Sequence, residues 1–205
     1  MNDSHRNSGA AAFAARHGPA CDDAESLRRI SKGDEDAMSA FYREHGRVVF
    51  AQVLLVTGER ALAEEIVQDT MLAVWRGAAS FRSDSSVRTW VIAIARRQTR
   101  DRLRGQRLRG QRLRVVDEAF LADQPGSNPG PEATALDRAE LAEVRDAIQG
   151  LPAAHRELLG LVFGSGLSLP EVADVLEIPL GTVKSRLSAA RVALNRILSQ
   201  KGLHQ

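Results

Sequence analysis

Hydrophobic residues recur at helical spacing along most of the chain, and the breaks between the runs delimit its elements. From Asp23 to about Arg104 the repeat hardly stops. Leu27 and Ile30 mark a short first helix, closed by the turn Lys32-Gly33-Asp34. Ala37, Met38, Phe41 and Tyr42 pack a second, which continues into the apolar, buried run 48–56 and stops at Thr57-Gly58-Glu59. The helix predicted over Arg60 to Arg76 carries two stripes. Ala63, Ile66, Val67, Thr70, Met71 and Val74 form its core side. Opposite them run Glu65, Gln68, Asp69, Leu72 and Arg76, an acidic and polar stripe broken by one leucine. Such a stripe is either a docking face for a basic partner helix or simply solvated, and the residues alone favour the second.

The pattern fails over Gly77 to Ser86, a loop with one aromatic, Phe81, followed by Arg82, Ser83, Asp84 and Ser85. Asp84, Ser85 or Ser86 can cap the next helix. That helix starts apolar, with Val87, Trp90, Val91, Ile94 and Ala95, and turns strongly basic. Arg88, Arg96, Arg100 and Arg104 lie at multiples of four and make one ridge, with Arg97 beside it. From Val87 to Arg114 there are ten arginines and one acid, Asp101. Like charges four apart repel on an unpartnered helix, whereas a phosphate backbone neutralises them with release of counterions. Nucleic-acid contact is therefore expected here. The pentads starting at Arg102, Arg107 and Arg112 do not return to one helical face, and Gly105 and Gly110 weaken a helix. They read as a frayed extension or a duplicated linker.

Between Asp117 and Glu132 the composition shifts to acids, prolines and glycines, as in an interdomain linker. Beyond it Leu136, Leu141, Val144 and Ile148 predict a helix. Another starts at Leu151-Pro152 with Leu158, Leu159, Leu161, Val162 and Phe163 on its packing side, and Gly164-Ser165-Gly166 ends it. Then come two helices joined by a tight turn. Ser168 with Glu171 forms a capping box, and Leu169, Val172, Ala173 and Leu176 share one buried side. Pro179 breaks the run at Ile178. In the last helix Val183, Leu187, Ala190, Leu194 and Ile197 point inward, while Thr182, Lys184, Ser185, Ser188 and Arg191 lie off that side. A short helix crossing the start of a second with small polar and basic outer residues is the helix-turn-helix arrangement that enters a major groove.

Bulk properties narrow this little. Net charge is +2, and lysine occurs only at 32, 184 and 201, so arginine position rather than abundance carries the electrostatic reading. No apolar run approaches a membrane span, and residues 1–22 read as a mobile tail without the apolar core of a signal peptide. The single cysteine, Cys21, excludes an internal disulfide and fits a cytoplasmic setting. With His17 it falls short of a metal site. His45 and His155 read as half-exposed structural residues, and the carboxylates as solvent-facing. There is no phosphate-binding Gly-Lys-Ser/Thr loop, no His-Glu-x-x-His and no nucleophile elbow, so neither catalysis nor a cofactor or metal is expected.

The order of parts resembles the bacterial sigma factors of RNA polymerase, in particular the two-domain extracytoplasmic-function (ECF) kind. The residues that carry the resemblance are Ala63-Glu-Glu-Ile-Val-Gln-Asp-Thr-Met-Leu-Ala-Val-Trp75, Thr89-Trp90, Ile94-Ala-Arg96 and Asp101-Arg-Leu-Arg104. In the second unit they are Leu151-Pro152, Arg156-Glu157, Gly166-Leu-Ser168, Glu171-Val-Ala173 and Gly181-Thr-Val-Lys-Ser-Arg-Leu187. The resemblance implies an all-α chain of two small helical domains joined by a flexible linker. The expected division is a tail over 1–22, a polymerase- and −10-binding domain over 23–112, a linker over 113–135 and a −35-binding helix-turn-helix domain over 136–205.

By the same resemblance, Glu65, Gln68, Asp69, Leu72 and Arg76 would dock on core RNA polymerase, which favours docking over solvation for that stripe. Phe81, Arg82, Ser83, Asp84 and Ser85 would capture a base flipped from the single-stranded −10 element, the unstacking offset by a pocket. Arg88, Arg96, Arg97 and Arg100 would hold the adjacent backbone. Thr182, Lys184, Ser185, Ser188 and Arg191 would read the double-stranded −35 element, and the linker would thread the RNA exit path. An anti-sigma factor is the further partner implied, with no membrane insertion. The chain departs from the family pattern at Arg97, where asparagine is common, at Ala189, often basic or bulky, and in its single loop aromatic. The alternatives are a free-standing helix-turn-helix regulator, which leaves the basic first domain without a purpose, and a helical adaptor that binds only protein.

Overall fold

The computed structural model describes residues 23–113 and 146–200, with the helical backbone alone over 107–113. The expected tail, Cys21, the linker, and Leu136, Leu141 and Val144 lie outside the described residues. Every described element is helical: α1 (Asp23–Ile30), α2 (Glu35–Thr57), α3 (Arg60–Gly77), a 3-10 turn (Ala78–Ser80), α4 (Val87–Leu113), α5 (Ala153–Leu159), a π-type turn (Gly160–Gly164), α6 (Leu169–Leu176) and α7 (Leu180–Gln200).

Local chemistry sets the boundaries. Asp34 caps α2, its carboxylate accepting from the Ala37 N–H at 2.9 Å. Gly58, left-handed at φ 73°, ends that helix by donating its N–H to the Leu54 carbonyl. Of the three candidate caps for α4, Ser86 is the one used: the Thr89 N–H donates to its hydroxyl at 3.1 Å. The capping box of α6 forms as expected. The Glu171 N–H donates to Ser168 Oγ, and Glu171 Oε2 accepts from the Ser168 N–H at 2.9 Å. The α6–α7 turn is made by a left-handed Glu177 (φ 56°), with the Ile178 N–H reaching the Ala173 carbonyl.

The six positions assigned to the core side of α3 are all buried, as are Val183, Leu187 and Ala190 of α7. Four expectations are corrected. Tyr42 and Phe163 are 50% and 63% exposed, because helical spacing alone cannot show which side of an element finds a partner. The run 48–56 is not buried all round: Val49 and Val53 enter the core, but Ala51 is exposed and the polar Gln52 is buried. His45 is only 2% exposed, its ring tilted against Phe41 with centroids 4.3 Å apart. Finally, α4 does not fray at Arg104. Its helical backbone runs through Gly105 and Gly110 to Leu113, the glycine penalty of ~1 kcal/mol each being overcome by the arginines, leucines and glutamines around them.

The two helical units do not keep separate cores. One contiguous hydrophobic cluster runs from Leu27 to Ala190, with α2 packed against α5 and the π-type turn, and α4 against α6. A glycine lies at this seam. Gly160 is right-handed helical (φ −62°, ψ −40°), yet a Cβ there would fall 2.2 Å from Gln52 Oε1 and 2.7 Å from Leu55 Cδ2. Beside it, Gln52 Nε2 donates to the Glu157 carbonyl at 3.2 Å. Small units bury a modest fraction of their surface alone, so joining cores removes apolar area from water that neither half covers by itself.

Candidate nucleic-acid interface

Three surfaces hold the residues singled out in the sequence. The first is the loop before α4 and the helix itself. The loop is folded back by the Phe81 ring, which packs on Trp90 at a centroid distance of 5.4 Å, and by a left-handed Ser83 (φ 60°). Arg82, Ser83, Asp84 and Ser85 are exposed there, and Phe81 is half-buried. Val87, Val91, Ile92 and Ala95 anchor α4 in the core. The ridge of Arg88, Arg96, Arg100 and Arg104 therefore emerges away from those anchors.

That ridge is divided. Arg97, Arg100 and Arg104 are exposed, but Arg88 and Arg96 are half-buried against the second unit. Arg96 Nε donates to Glu157 Oε1 at 2.8 Å, and the two side chains keep only 15% and 21% of their exposure. Arg88 Nη1 approaches the Ser165 carbonyl at 3.4 Å. At the start of α4, Glu171 Oε1 accepts from Thr89 Oγ1 at 2.6 Å and from Ser86 Oγ at 3.0 Å. The expectation that the carboxylates face solvent is thus corrected for Glu157 and Glu171. Burial pushes the Glu171 carboxyl up, but donation from Thr89, from the Ser168 hydroxyl and N–H, and from Ser86 outweighs it and holds the group below its ordinary value. Between α4 and α6 lies a cleft of about 520 Å³ lined by Trp90, Arg97, Arg100 and Arg104 on one wall and Asp174 and Glu177 on the other.

The second surface is the outer stripe of α3. Glu65, Gln68, Leu72 and Arg76 are exposed and Asp69 is half-buried. Arg102 of α4 bridges two of them: Nη1 sits 3.0 Å from Glu65 Oε2, and Nη2 pairs with Asp69 Oδ2. Leu72, 52% exposed, borders an apolar groove with Met38, Tyr42, Met71 and Trp75. Of these, Met38 and Trp75 are half-buried against the core, and Tyr42 is the surface residue that was missed. The available signal was that Tyr42 follows Phe41 on α2, whose packing side was already filled by Ala37 and Phe41.

The third surface is the outer side of α7. Lys184, Ser185, Ser188 and Arg191 are exposed and Thr182 is half-exposed, while Ser185 Oγ donates to the Thr182 carbonyl at 3.0 Å. Arg186 is exposed among them and was overlooked. Arg191 lies over the Phe163 ring, 5.6 Å from its centroid, which accounts for an aromatic left in solvent. As for metal, Asp23, Glu44 and His45 bring donor atoms within 4.8 Å of one another. Three donors are one short of a closed structural site, and His45 Nε2 already faces Asp23 Oδ1 at 3.4 Å.

Comparison with known proteins decides what these surfaces belong to. Residues 41–109 match the Sigma-70 region 2 model, and residues 141–194 match Sigma-70, region 4. The RNA polymerase sigma factor NccH of Alcaligenes xylosoxydans is 31% identical over 88% of this chain and 96% of its own length. The ECF RNA polymerase sigma factor SigL of Mycobacterium tuberculosis is 34% identical over 81% of this chain and 91% of its own. The chain belongs to the ECF sigma factors. This sigma factor directs promoter-specific transcription initiation, and the family's members are not themselves catalysts. Its fold is similar to that of the sigma factor RpoE, solved in complex with the anti-sigma factor NepR from Bartonella quintana (TM-score 0.64, 27% identity, 78% of this chain and 97% of that one). CnrH, solved with the cytosolic domain of CnrY, shares the fold (TM-score 0.63, 23% identity, 89% and 99% covered). No helix among the described residues is long and apolar enough to cross a membrane.

Proposed function

We propose that this sigma factor works through those three surfaces, divided between a unit over 23–112 and a unit over 136–205 with the segment 113–135 between them. Glu65, Gln68, Asp69, Leu72 and Arg76 dock on core RNA polymerase. Phe81, Arg82, Ser83, Asp84 and Ser85 hold a base unstacked from the −10 element, and Arg88, Arg96, Arg97 and Arg100 neutralise the neighbouring phosphates. Thr182, Lys184, Ser185, Ser188 and Arg191 read the −35 duplex in its major groove. The protein acts in the cytoplasm, and an anti-sigma factor covers part of these surfaces when transcription is not required, as the complex of the similar sigma factor RpoE with the anti-sigma factor NepR supports.

The observation that carries this reading is the outer side of α7. Val183, Leu187 and Ala190 are seated in the core, and Lys184, Ser185, Ser188 and Arg191 are left in solvent on a single helical side. In vitro transcription with core polymerase on a randomised promoter pool tests it. Wild-type protein selects a two-part promoter, and Lys184→Glu loses selection of the upstream part while still binding core. Equal selection by both proteins would refute the assignment of α7.

A further inference from the structure

We infer that Asp23, Glu44 and His45 form a site for one divalent transition-metal ion of the zinc class, which fastens the start of α1 to α2. None of the three belongs to the surfaces proposed for polymerase and DNA. Their donor atoms lie within 4.8 Å of one another. Two acids near a histidine are a common surface feature, but His45 sets this cluster apart. Its side chain is 2% exposed, and Nε2 is buried without a hydrogen-bond partner, a state that folded proteins avoid because it is costly. Asp23 Oδ1 stands 3.4 Å from that nitrogen, beyond the usual reach of an N–H···O bond. Two donors held by one tetrahedral zinc at about 2.0–2.2 Å are themselves about 3.4 Å apart. The gap therefore has the width of one edge of a coordination tetrahedron.

The donor set selects the ion. One imidazole nitrogen with two carboxylates suits zinc and its transition-metal neighbours, whereas magnesium and calcium take oxygen ligands. Burial disfavours the protonated imidazole and leaves the neutral ring that ligates. Asp23 and Glu44 act on that ring against one cation, Arg88, which is itself turned to the Ser165 carbonyl. Asp23 is half-buried and Glu44 exposed, so Glu44 is free to turn its carboxylate inward. Water then takes the fourth position, as in open zinc sites. The place in the fold gives the ion a purpose. Asp23 opens α1, an eight-residue helix anchored by Leu27 and Ile30 and too short to be stable alone. That helix packs on α2 and on the 3-10 turn before the loop at Phe81, so a metal clip at its first residue steadies both.

Thermal melts of the full chain with Zn²⁺ test the site, in a Cys21→Ser background that removes the lone thiol as a competing ligand. Zn²⁺ at about ten times its Kd is expected to raise the midpoint by about 3–6 °C. Mg²⁺ at the same concentration should leave it unchanged. Titration calorimetry should show a tight step of one ion per chain, and the ring-nitrogen resonance of His45 should move with that step. Asp23→Asn combined with Glu44→Gln keeps size and helix and should weaken the step by about tenfold or more, while His45→Gln should abolish it. Should His45→Gln fail to fold, the paired carboxylate variant carries the same measurements. Tight binding that survives in the carboxylate variant overturns the inference, as does a His45 resonance that Zn²⁺ does not move. An equal shift with Mg²⁺, or a melt that Zn²⁺ leaves unchanged, overturns it as well.

Discussion

Leu72 offers the cleanest test of the polymerase-docking surface, because it is apolar, exposed and uncommitted to the core. About half of its surface, 52%, remains accessible. Fully burying a leucine side chain is worth ~1.5–3 kcal/mol. Half of that remains to be gained on docking, so Leu72→Ala is expected to weaken core binding by ~1 kcal/mol, about fivefold in Kd. The free protein should scarcely notice: a loss below ~1 kcal/mol moves the midpoint of a chain this size by no more than about 2–4 °C. Asp69→Ala behaves differently. Asp69 is already paired with Arg102, which also reaches Glu65, so its charge is not free to meet a partner until Arg102 swings away. Asp69→Ala alone should therefore cost less than Leu72→Ala, and its effect should depend on whether Arg102 is present, a non-additivity that a double-mutant cycle with Arg102→Ala measures. The assay is a fluorescence titration of labelled sigma factor with core polymerase, run beside a thermal melt. Unchanged affinity for Leu72→Ala, with the melt unchanged, would refute the assignment of this stripe.

Three further outcomes are expected. Ser168→Ala removes the N-cap of α6 and should destabilise the second unit by ~1 kcal/mol, seen as a lower urea midpoint; Ser168→Asp should largely restore it. Burial holds the His45 imidazole below its ordinary 6.5, against the opposing pull of Asp23 and Glu44, so the unfolded chain takes up the proton first. Stability from His45 is complete above pH 6.5 and is lost as pH falls from there through the lowered folded value; urea melts in steps from pH 8 to 5 should show the decline, and His45→Gln should flatten it. Glu171 has the same sign in a lower window: what its bonds to Thr89, Ser86 and Ser168 contribute to stability is present above the ordinary 4.5 and disappears as pH falls through its depressed value. Urea melts carried below pH 5 should show the decline, less steeply in Glu171→Gln.

What the sequence determined by itself is everything that depends on neighbours three or four residues apart. The core side of α3, the opposing stripe, the Ser168–Glu171 box, the break at Pro179 and the outward side of α7 are local consequences of helical period and capping, and each is where the spacing placed it. The tertiary structure decided what meets across long stretches of chain. His45 is buried against Phe41 with Asp23 of α1 beside it, and Tyr42 and Phe163 stay exposed among the described elements. Arg96 finds Glu157 and Thr89 finds Glu171 across 61 and 82 residues. Spacing within a helix says which side an arginine occupies but not which distant carboxylate reaches it first. That choice was left to shape, in the packing of two helical units around one shared core.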